Sequence, residues 1–171
     1  MTESDKTSLE GHKPNLSDLL RDIYELLAFF LASQKIAELD QSRLYGDNDP
    51  LQQFGDLQRD LITKRLIAIA ITIRILDDRD PHVFDMLTDY CGTITKDLAK
   101  PLEREGLSIR DACNKIIHAR TVMFDTANTS SGRTYLYPTL YLEGKEWSKP
   151  WAVDLDVIKF CRESAASLDL V

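Results

Sequence analysis

The chain has 171 residues, of which 43% are hydrophobic and 29% are charged, so it can fill the core of one domain. Its formal net charge of −7 argues against a broad basic surface for duplex DNA or anionic lipid, but leaves room for a local basic pocket. Residues 1–15 are polar without a signal-peptide core, and no apolar run approaches the ~20 residues of a membrane span. We therefore expect a cytoplasmic protein with a disordered lead (1–15) and one domain (16–171).

The first predicted helix runs from Ser17, as its N-cap, to about Leu39. The next segment, LQQFGDLQRDLITKRLIAIAITIRILDDRD, is ambiguous because isoleucines alternate from Ile67 to Ile75 as they would in a strand. Apolar residues at helical spacing nevertheless continue through the segment without a turn signal. We interpret it as one long helix in the centre of a bundle, with a buried strand over Leu66–Leu76 as the alternative.

A third helix is predicted to begin at Asp80–Pro81, with aspartate as N-cap and proline as the first helical residue, and to end at Pro101. Its apolar stripe consists of Val83, Phe84, Leu87, Tyr90, Cys91, Ile94 and Leu98. Ser108 is predicted to cap a fourth helix, in which Asp111 nearly completes a capping box.

After Phe124 a polar loop leads into a predicted β-hairpin over residues 133–155, where tyrosines and leucines alternate and a turn falls near Gly144. Pro138 and Pro150 restrict the two strands to sheet edges, because proline cannot donate to a ladder.

A last helix is predicted from Asp156 to about Leu168. The expected fold class is therefore mainly α: a helical bundle of about five helices with one β-hairpin between the last two helices. Cys91, Cys113 and Cys161 are widely spaced within apolar helical patterns, so we predict reduced core residues rather than disulfides or a zinc site.

The stretch LSIRDACNKIIHAR places Arg110, Asn114 and His118 at intervals of four on the fourth helix. On a helical wheel, His118 points almost directly away from the apolar face, which consists of Ile109, Ala112, Cys113, Ile116 and Ile117. Histidine can transfer a proton near neutral pH, arginine can bind a phosphate, and asparagine can orient the imidazole. The three are candidate catalytic residues, although about 12 Å of helix separates Arg110 from His118. A solvated polar face, a structural bond and a dimer contact are the alternatives.

A late helix with an arginine, then an asparagine and a histidine, in a small all-α protein resembles the HEPN superfamily (higher eukaryotes and prokaryotes nucleotide-binding domains). Many members of that family are metal-independent ribonucleases, and they commonly dimerise so that two motifs share one cleft. Arg110 with Asp111 matches the family's arginine–polar pair and His118 its terminal histidine, but seven residues lie between Arg110 and His118, where the family pattern has four to six. The resemblance implies that a 2′-hydroxyl attacks the adjacent phosphate, with His118 as general acid or base and Arg110 stabilising the phosphate. The stretch ACNKIIHA followed by an aromatic hairpin is also similar to bacterial proteins without an assigned function.

The aromatic residues of the predicted hairpin form a second candidate site. Tyr135, Tyr137, Tyr141 and Trp151 are the candidate ligand-binding residues, because aromatic rings stack on bases and line small-molecule pockets. Trp147 belongs to the same aromatic group. Since both faces of a two-stranded ribbon need cover, we favour the interpretation that these residues cover the bundle or form a subunit interface.

Three functional hypotheses follow. The favoured one is a non-catalytic helical module of HEPN-like type that forms a homodimer or binds a protein partner. The alternatives are a HEPN-like ribonuclease or nucleotide-binding protein, with RNA as partner and Arg110, Asn114 and His118 as the site, and a small-ligand binder at the aromatic hairpin. No metal or cofactor is expected, because the three histidines lie in separate segments. The DDRD run, residues 77–80, is interpreted as a helix end capped by aspartates.

Overall fold

The structure is a computed structural model that describes residues 14–39, 51, 54–79, 89–166 and 168. The described residues form four α-helices and five strands, in the order α1, α2, β1, β2, α3, β3, β4, β5, α4. The helices are α1 (Leu16–Leu39), α2 (Phe54–Arg79), α3 (Ile109–His118) and α4 (Val157–Ala166). The strands are β1 (Gly92–Thr95), β2 (Arg104–Gly106), β3 (Thr121–Asn128), β4 (Thr134–Glu146) and β5 (Lys149–Asp156).

The predicted helical bundle with a single hairpin is wrong. The five strands form one antiparallel sheet in the order β2–β1–β5–β4–β3, and the helices supply the other layer of an α+β fold. Leu140 and Leu142 on β4, and Val153 and Leu155 on β5, are buried in the same core as residues of all four helices. This core lies between the helices and one face of the sheet.

The predicted hairpin is present as β4 and β5, but both are interior strands, so their assignment to sheet edges is wrong. Pro138 precedes the part of β4 that pairs with β5, and it lies opposite an irregularity in the pairing with β3. Pro150 precedes the part of β5 that pairs with β1. Each proline therefore lies where its strand is not fully paired on both sides. Its missing N–H is tolerated there because no complete ladder requires that donor. The turn is formed by residues 147–148 rather than near Gly144, which lies within β4.

The predicted third helix is contradicted in its second half, where Gly92–Thr95 is strand β1. Thr93, Ile94 and Thr95 are β-branched and suit a pleated sheet surface. Gly92 permits close approach to β5, since a Cβ there would fall 2.1 Å from the backbone oxygen of Asp154. The first half of that predicted helix, residues 80–88, lies outside the described residues. The polar stretch after Phe124, predicted as a loop, begins within β3.

The other predicted helices are present, including the long helix over Leu66–Leu76. Its predicted place in the centre of a bundle is wrong, since Ile67, Ile71 and Ile75 on its outer face are exposed. Ser108 caps α3, because its hydroxyl accepts a hydrogen bond from the backbone N–H of Asp111 at 3.1 Å. The cap of α1 is Asn15 rather than Ser17: the Asn15 carboxamide oxygen accepts a bond from the Ser17 N–H at 3.0 Å. None of the helices that the structure describes is long and apolar enough to cross a lipid bilayer.

Candidate functional site

Helix α3 uses Arg110 to attach itself to α2. The Arg110 Nε lies 3.1 Å from Oδ2 of Asp77, a carboxylate that is only 1% exposed. Arg74 contacts the same oxygen through Nη1 at 2.7 Å. Because one buried carboxylate is held between two guanidinium groups, the geometry gives Arg110 a structural role in the packing of α3 on α2.

Asn114 and His118 lie elsewhere on the same helix. Asn114 is half-buried and lines a cleft between α3 and the sheet. His118 is exposed at the last helical position, directly before the C-cap Ala119. The structure therefore does not gather Arg110, Asn114 and His118 around one point within the chain, and their catalytic assignment stays a prediction.

The cleft that Asn114 lines has a volume of about 680 Å³. Its walls are α3, the segment after β1, and the tip of the β4–β5 hairpin, and it is large enough for a small organic ligand. Its charged lining consists of four lysines and five carboxylates: Lys96, Lys100, Lys115, Lys149, Asp97, Glu103, Glu105, Asp111 and Glu146. Charges of both signs therefore converge on one concave surface.

Most of the lysines in this lining belong to exposed ion pairs. Lys96 Nζ lies 2.6 Å from Glu105, and Lys100 Nζ lies 3.1 Å from Glu103, with both partners of each pair more than half exposed. Pairs of this kind contribute about 0–1 kcal/mol each, because water screens them and ordering the side chains costs entropy. They can exchange partners at little cost.

Lys115 differs from the other lysines because it is buried. It is 6% exposed, its Nζ lies 2.6 Å from Oε2 of Glu146, and the same Nζ lies 5.0 Å from the centroid of the Trp151 ring. The Trp151 ring packs across Gly144, where a Cβ would fall 2.2 Å from the ring. The absent side chain at Gly144 therefore makes room for the indole on which the Lys115 ammonium group lies.

Glu146 completes the pair from the exposed side. Its side chain is 59% exposed near the tip of the hairpin. The hydrogen bond and charge of Lys115 lower the pKa of Glu146, and the nearby His118 adds to that effect. The pair thus joins a buried ammonium group to a solvent-exposed carboxylate.

Trp147 stands at the mouth of the cleft with 98% of its surface exposed. It occupies the turn between Glu146 and Lys149 with a φ of 57°, the left-handed region that bulky residues rarely adopt. Such a conformation costs about 1–3 kcal/mol. A two-residue hairpin turn requires a positive φ, so the turn accounts for this backbone, and the indole is left exposed beside the cavity.

The four predicted ligand-binding aromatics do not form one site. Tyr137 and Tyr141 are exposed on the sheet face away from the core, whereas Trp151 is buried beneath Lys115. Tyr135 lines a separate cavity of about 350 Å³ between α1, α2 and the β3–β4 region. Among them, Trp151 alone contacts a residue of the charged cleft through an aromatic interaction that the structure describes.

No protein-family model, no curated protein and no solved structure matches this chain. The candidate site therefore rests on its own geometry. Within the described ranges, no group of three or more histidine, cysteine, aspartate and glutamate side chains is arranged to hold a metal ion.

Lys115 is the candidate site residue that the sequence pattern missed. The helical wheel places Ile117 on the apolar face of α3, yet Ile117 is 37% exposed while Lys115 is buried. The buried face of α3 is rotated toward Lys115 because the sheet packs on that flank, and the sequence predicted no sheet there. The signal for Trp147 was the stretch GKEWSK, in which a tryptophan stands between charged residues where a hairpin must turn.

Proposed function

We propose that the protein is a non-catalytic binding module and that the cleft beside α3 binds a small anionic molecule carrying a planar ring, such as a mononucleotide. The observation that carries this proposal is the Lys115 ammonium group, which is buried in the cleft lining and pairs with an exposed carboxylate. A buried cation needs an anionic partner, but that partner need not be Glu146.

A ligand anion can replace the Glu146 carboxylate because the two side chains of the pair differ in their exposure to water. Lys115 lies over the buried Trp151 ring, whereas the Glu146 side chain is 59% exposed and can turn into water. The ligand then receives a charge-assisted hydrogen bond in a largely desolvated position, where such bonds are strong. The released carboxylate is rehydrated, so the exchange leaves no buried charge unpaired.

The planar ring of the ligand would stack on Trp147, whose indole is exposed at the mouth of the cleft. Stacking on an aromatic side chain contributes about 1–3 kcal/mol per base and accepts any planar ring. Asn114 and Asp111 line the same cleft and supply an amide and a carboxylate for polar groups of the ligand. Together these groups favour a mononucleotide over inorganic phosphate.

The charge balance favours a small anion over a long nucleic acid. The net charge of −7 and the five carboxylates of the cleft oppose an extended polyanion, whose affinity depends on many phosphate contacts. The HEPN-like ribonuclease hypothesis remains a prediction, and Arg110 is already bonded to the buried Asp77. We therefore place binding ahead of catalysis.

Isothermal titration calorimetry with AMP, and with adenosine and ribose 5-phosphate as its two halves, tests the proposal. AMP should bind more tightly than either half. Lys115→Met should weaken AMP binding at least about tenfold, a loss of 1.4 kcal/mol. Glu146→Gln should strengthen it, because the competing carboxylate is gone.

Trp147→Ala should weaken AMP binding, and Tyr137→Ala is its control, since Tyr137 is an exposed aromatic of β4 that lies away from the cleft on the opposite sheet face. Absence of AMP binding by the wild-type protein, or equal affinities in Lys115→Met and Glu146→Gln, would refute the proposal.

A further inference from the structure

Helix α2 has large apolar side chains on its outer face as well as on its buried face. Ile67, Ile71 and Ile75 are 40%, 44% and 38% exposed. The buried side of the same helix consists of Ile62, Leu66, Ile69, Ala70, Ile73 and Leu76. The stretch Leu66–Leu76 is apolar nearly all round, and such a stretch is normally covered on both sides, so the outer row is suited to a protein contact.

The outer row is bounded by opposite charges in a symmetrical order. Lys64 and Asp78 lie seven residues before and after Ile71, and Ile67 and Ile75 lie four residues before and after it. At 100° per residue, these five side chains lie within about 40° of Ile71 on the helix surface. Lys64 is exposed, and the Asp78 side chain is 64% exposed.

When a second copy of α2 is laid antiparallel on the first, each charge faces its opposite and each isoleucine faces an isoleucine. We propose that two copies of the chain associate through α2, antiparallel, with a two-fold axis passing at Ile71. Ile71 then contacts its counterpart, Ile67 faces Ile75 of the second copy, and Lys64 faces Asp78 of the second copy. Lys64 and Asp78 are about 21 Å apart along one helix, so the ion pairs close both ends of the apolar row.

The neighbouring residues suit this arrangement. Three residues from the axis, Ala68 of one copy comes opposite Arg74 of the other, and the small alanine leaves room for the guanidinium group. Arg74 is already held by Asp77 and by Asp78 at 2.7 Å and 3.1 Å. A parallel pairing would place Lys64 against Lys64 and Asp78 against Asp78, so charge selects the antiparallel form.

Analytical ultracentrifugation of the full chain over a wide concentration range tests the proposal. We expect a reversible dimer of micromolar affinity, because one helix pair buries less area than a standard interface. Ile71→Lys places two charges against each other at the axis and should raise the dimer dissociation constant at least about tenfold. Leu102→Lys is the control, since Leu102 is 97% exposed on the loop between β1 and β2 and is not part of α2.

Charge reversal and cross-linking identify the register. Lys64→Asp and Asp78→Lys should each weaken the dimer, and the double variant should restore it. Ile71→Cys should form a disulfide-linked dimer on oxidation, whereas Ile67→Cys should do so only together with Ile75→Cys. The proposal is overturned if the wild-type protein is a monomer at every concentration, or if Ile71→Lys leaves the dimer intact. It is also overturned if Ile71→Lys fails to fold and the wild-type protein forms no dimer, because the apolar row would then be covered within its own chain.

Discussion

The Nζ atom of Lys115 lies 2.6 Å from Oε2 of Glu146, although the Lys115 side chain is 8% exposed and the Glu146 side chain 59% exposed. The Lys115 ammonium group is therefore shielded from water, whereas the Glu146 carboxylate is hydrated. Removing the exposed partner leaves a buried charge, whereas removing the buried partner leaves a charge that water can hydrate. The pair should respond unequally to substitution of its two members.

We predict that Glu146→Gln lowers the free energy of unfolding by about 1 kcal/mol, because the buried ammonium group loses its counter-charge. Lys115→Met, which retains much of the side-chain volume, should lie within about 0.5 kcal/mol of the wild-type protein or be more stable. Urea-induced unfolding measures both values. A larger loss for Lys115→Met than for Glu146→Gln would contradict this account.

The stabilisation from this pair should disappear in acid. Because the hydrogen bond and charge of Lys115 lower the pKa of Glu146 in the folded protein, the contribution is complete above the pKa of an unfolded glutamate. It is lost as the pH falls through the lower, folded-state pKa. The stability difference between the wild-type protein and Glu146→Gln should therefore shrink to zero at acid pH. Unfolding measured across a pH series tests this, with Glu143→Gln, an exposed glutamate of the same strand, as control.

Trp147→Gly should stabilise the fold by about 0.5–1 kcal/mol, because glycine adopts a φ of 57° without strain. Trp147→Ala removes the same indole but retains a Cβ, so it should bring little or no gain. Thermal unfolding of the two variants separates relief of backbone strain from loss of the ring. Equal melting temperatures for the two would show that the left-handed conformation carries no cost.

Arg110→Ala should lower the free energy of unfolding by about 1–2 kcal/mol, because the buried Asp77 loses one of its two guanidinium partners. His118→Ala removes an exposed side chain and should change stability by less than about 0.5 kcal/mol. His118→Ala is thus the clean variant for an RNA-cleavage assay. Cleavage by the wild-type protein that this variant abolishes would favour the ribonuclease hypothesis over a purely binding role.

The three thiols should be unreactive in the native protein. Burial raises the pKa of Cys91 and of Cys161 to about 12, and it raises the pKa of Cys113 well above its usual value. Ellman's reagent at mildly alkaline pH should therefore detect almost no free thiol until denaturant is added, and then three per chain. Rapid modification of the native protein would show that the core around these residues opens.

Helix periodicity predicted the helices well because their apolar faces repeat within a short window. Ser108 and the row from Leu66 to Leu76 identify α3 and α2 from local residues alone. The sheet was missed because its decisive partners are distant: Thr93 pairs with Asp154 across most of the second half of the chain. The segment around Ile94 has an apolar spacing that also fits a helix, and only pairing with β5 decides between the two.

The candidate site was only partly predictable. Asn114 was selected because it stands on the polar side of a well-defined helix; it lines the cleft, and its catalytic assignment stays a prediction. Lys115 was missed because its burial depends on Trp151, a residue of β5 that lies next to Lys115 only once the sheet has formed. Trp147 was recognised as one of the hairpin aromatics, but its exposure and its left-handed backbone depend on the position of the turn.

The two edges of the sheet limit how the protein can polymerise. At one edge, β2 has three residues, and two of them, Arg104 and Glu105, carry exposed charges. At the other edge, the pairing of β3 with β4 has a bulge between Phe124 and Thr126, with the extra residues on β4, and a bulge increases the local twist, so this edge is not flat. Short, charged or irregular edges are poor templates for strand addition and amyloid growth. The fold should thus resist fibril formation by strand addition at its sheet edges.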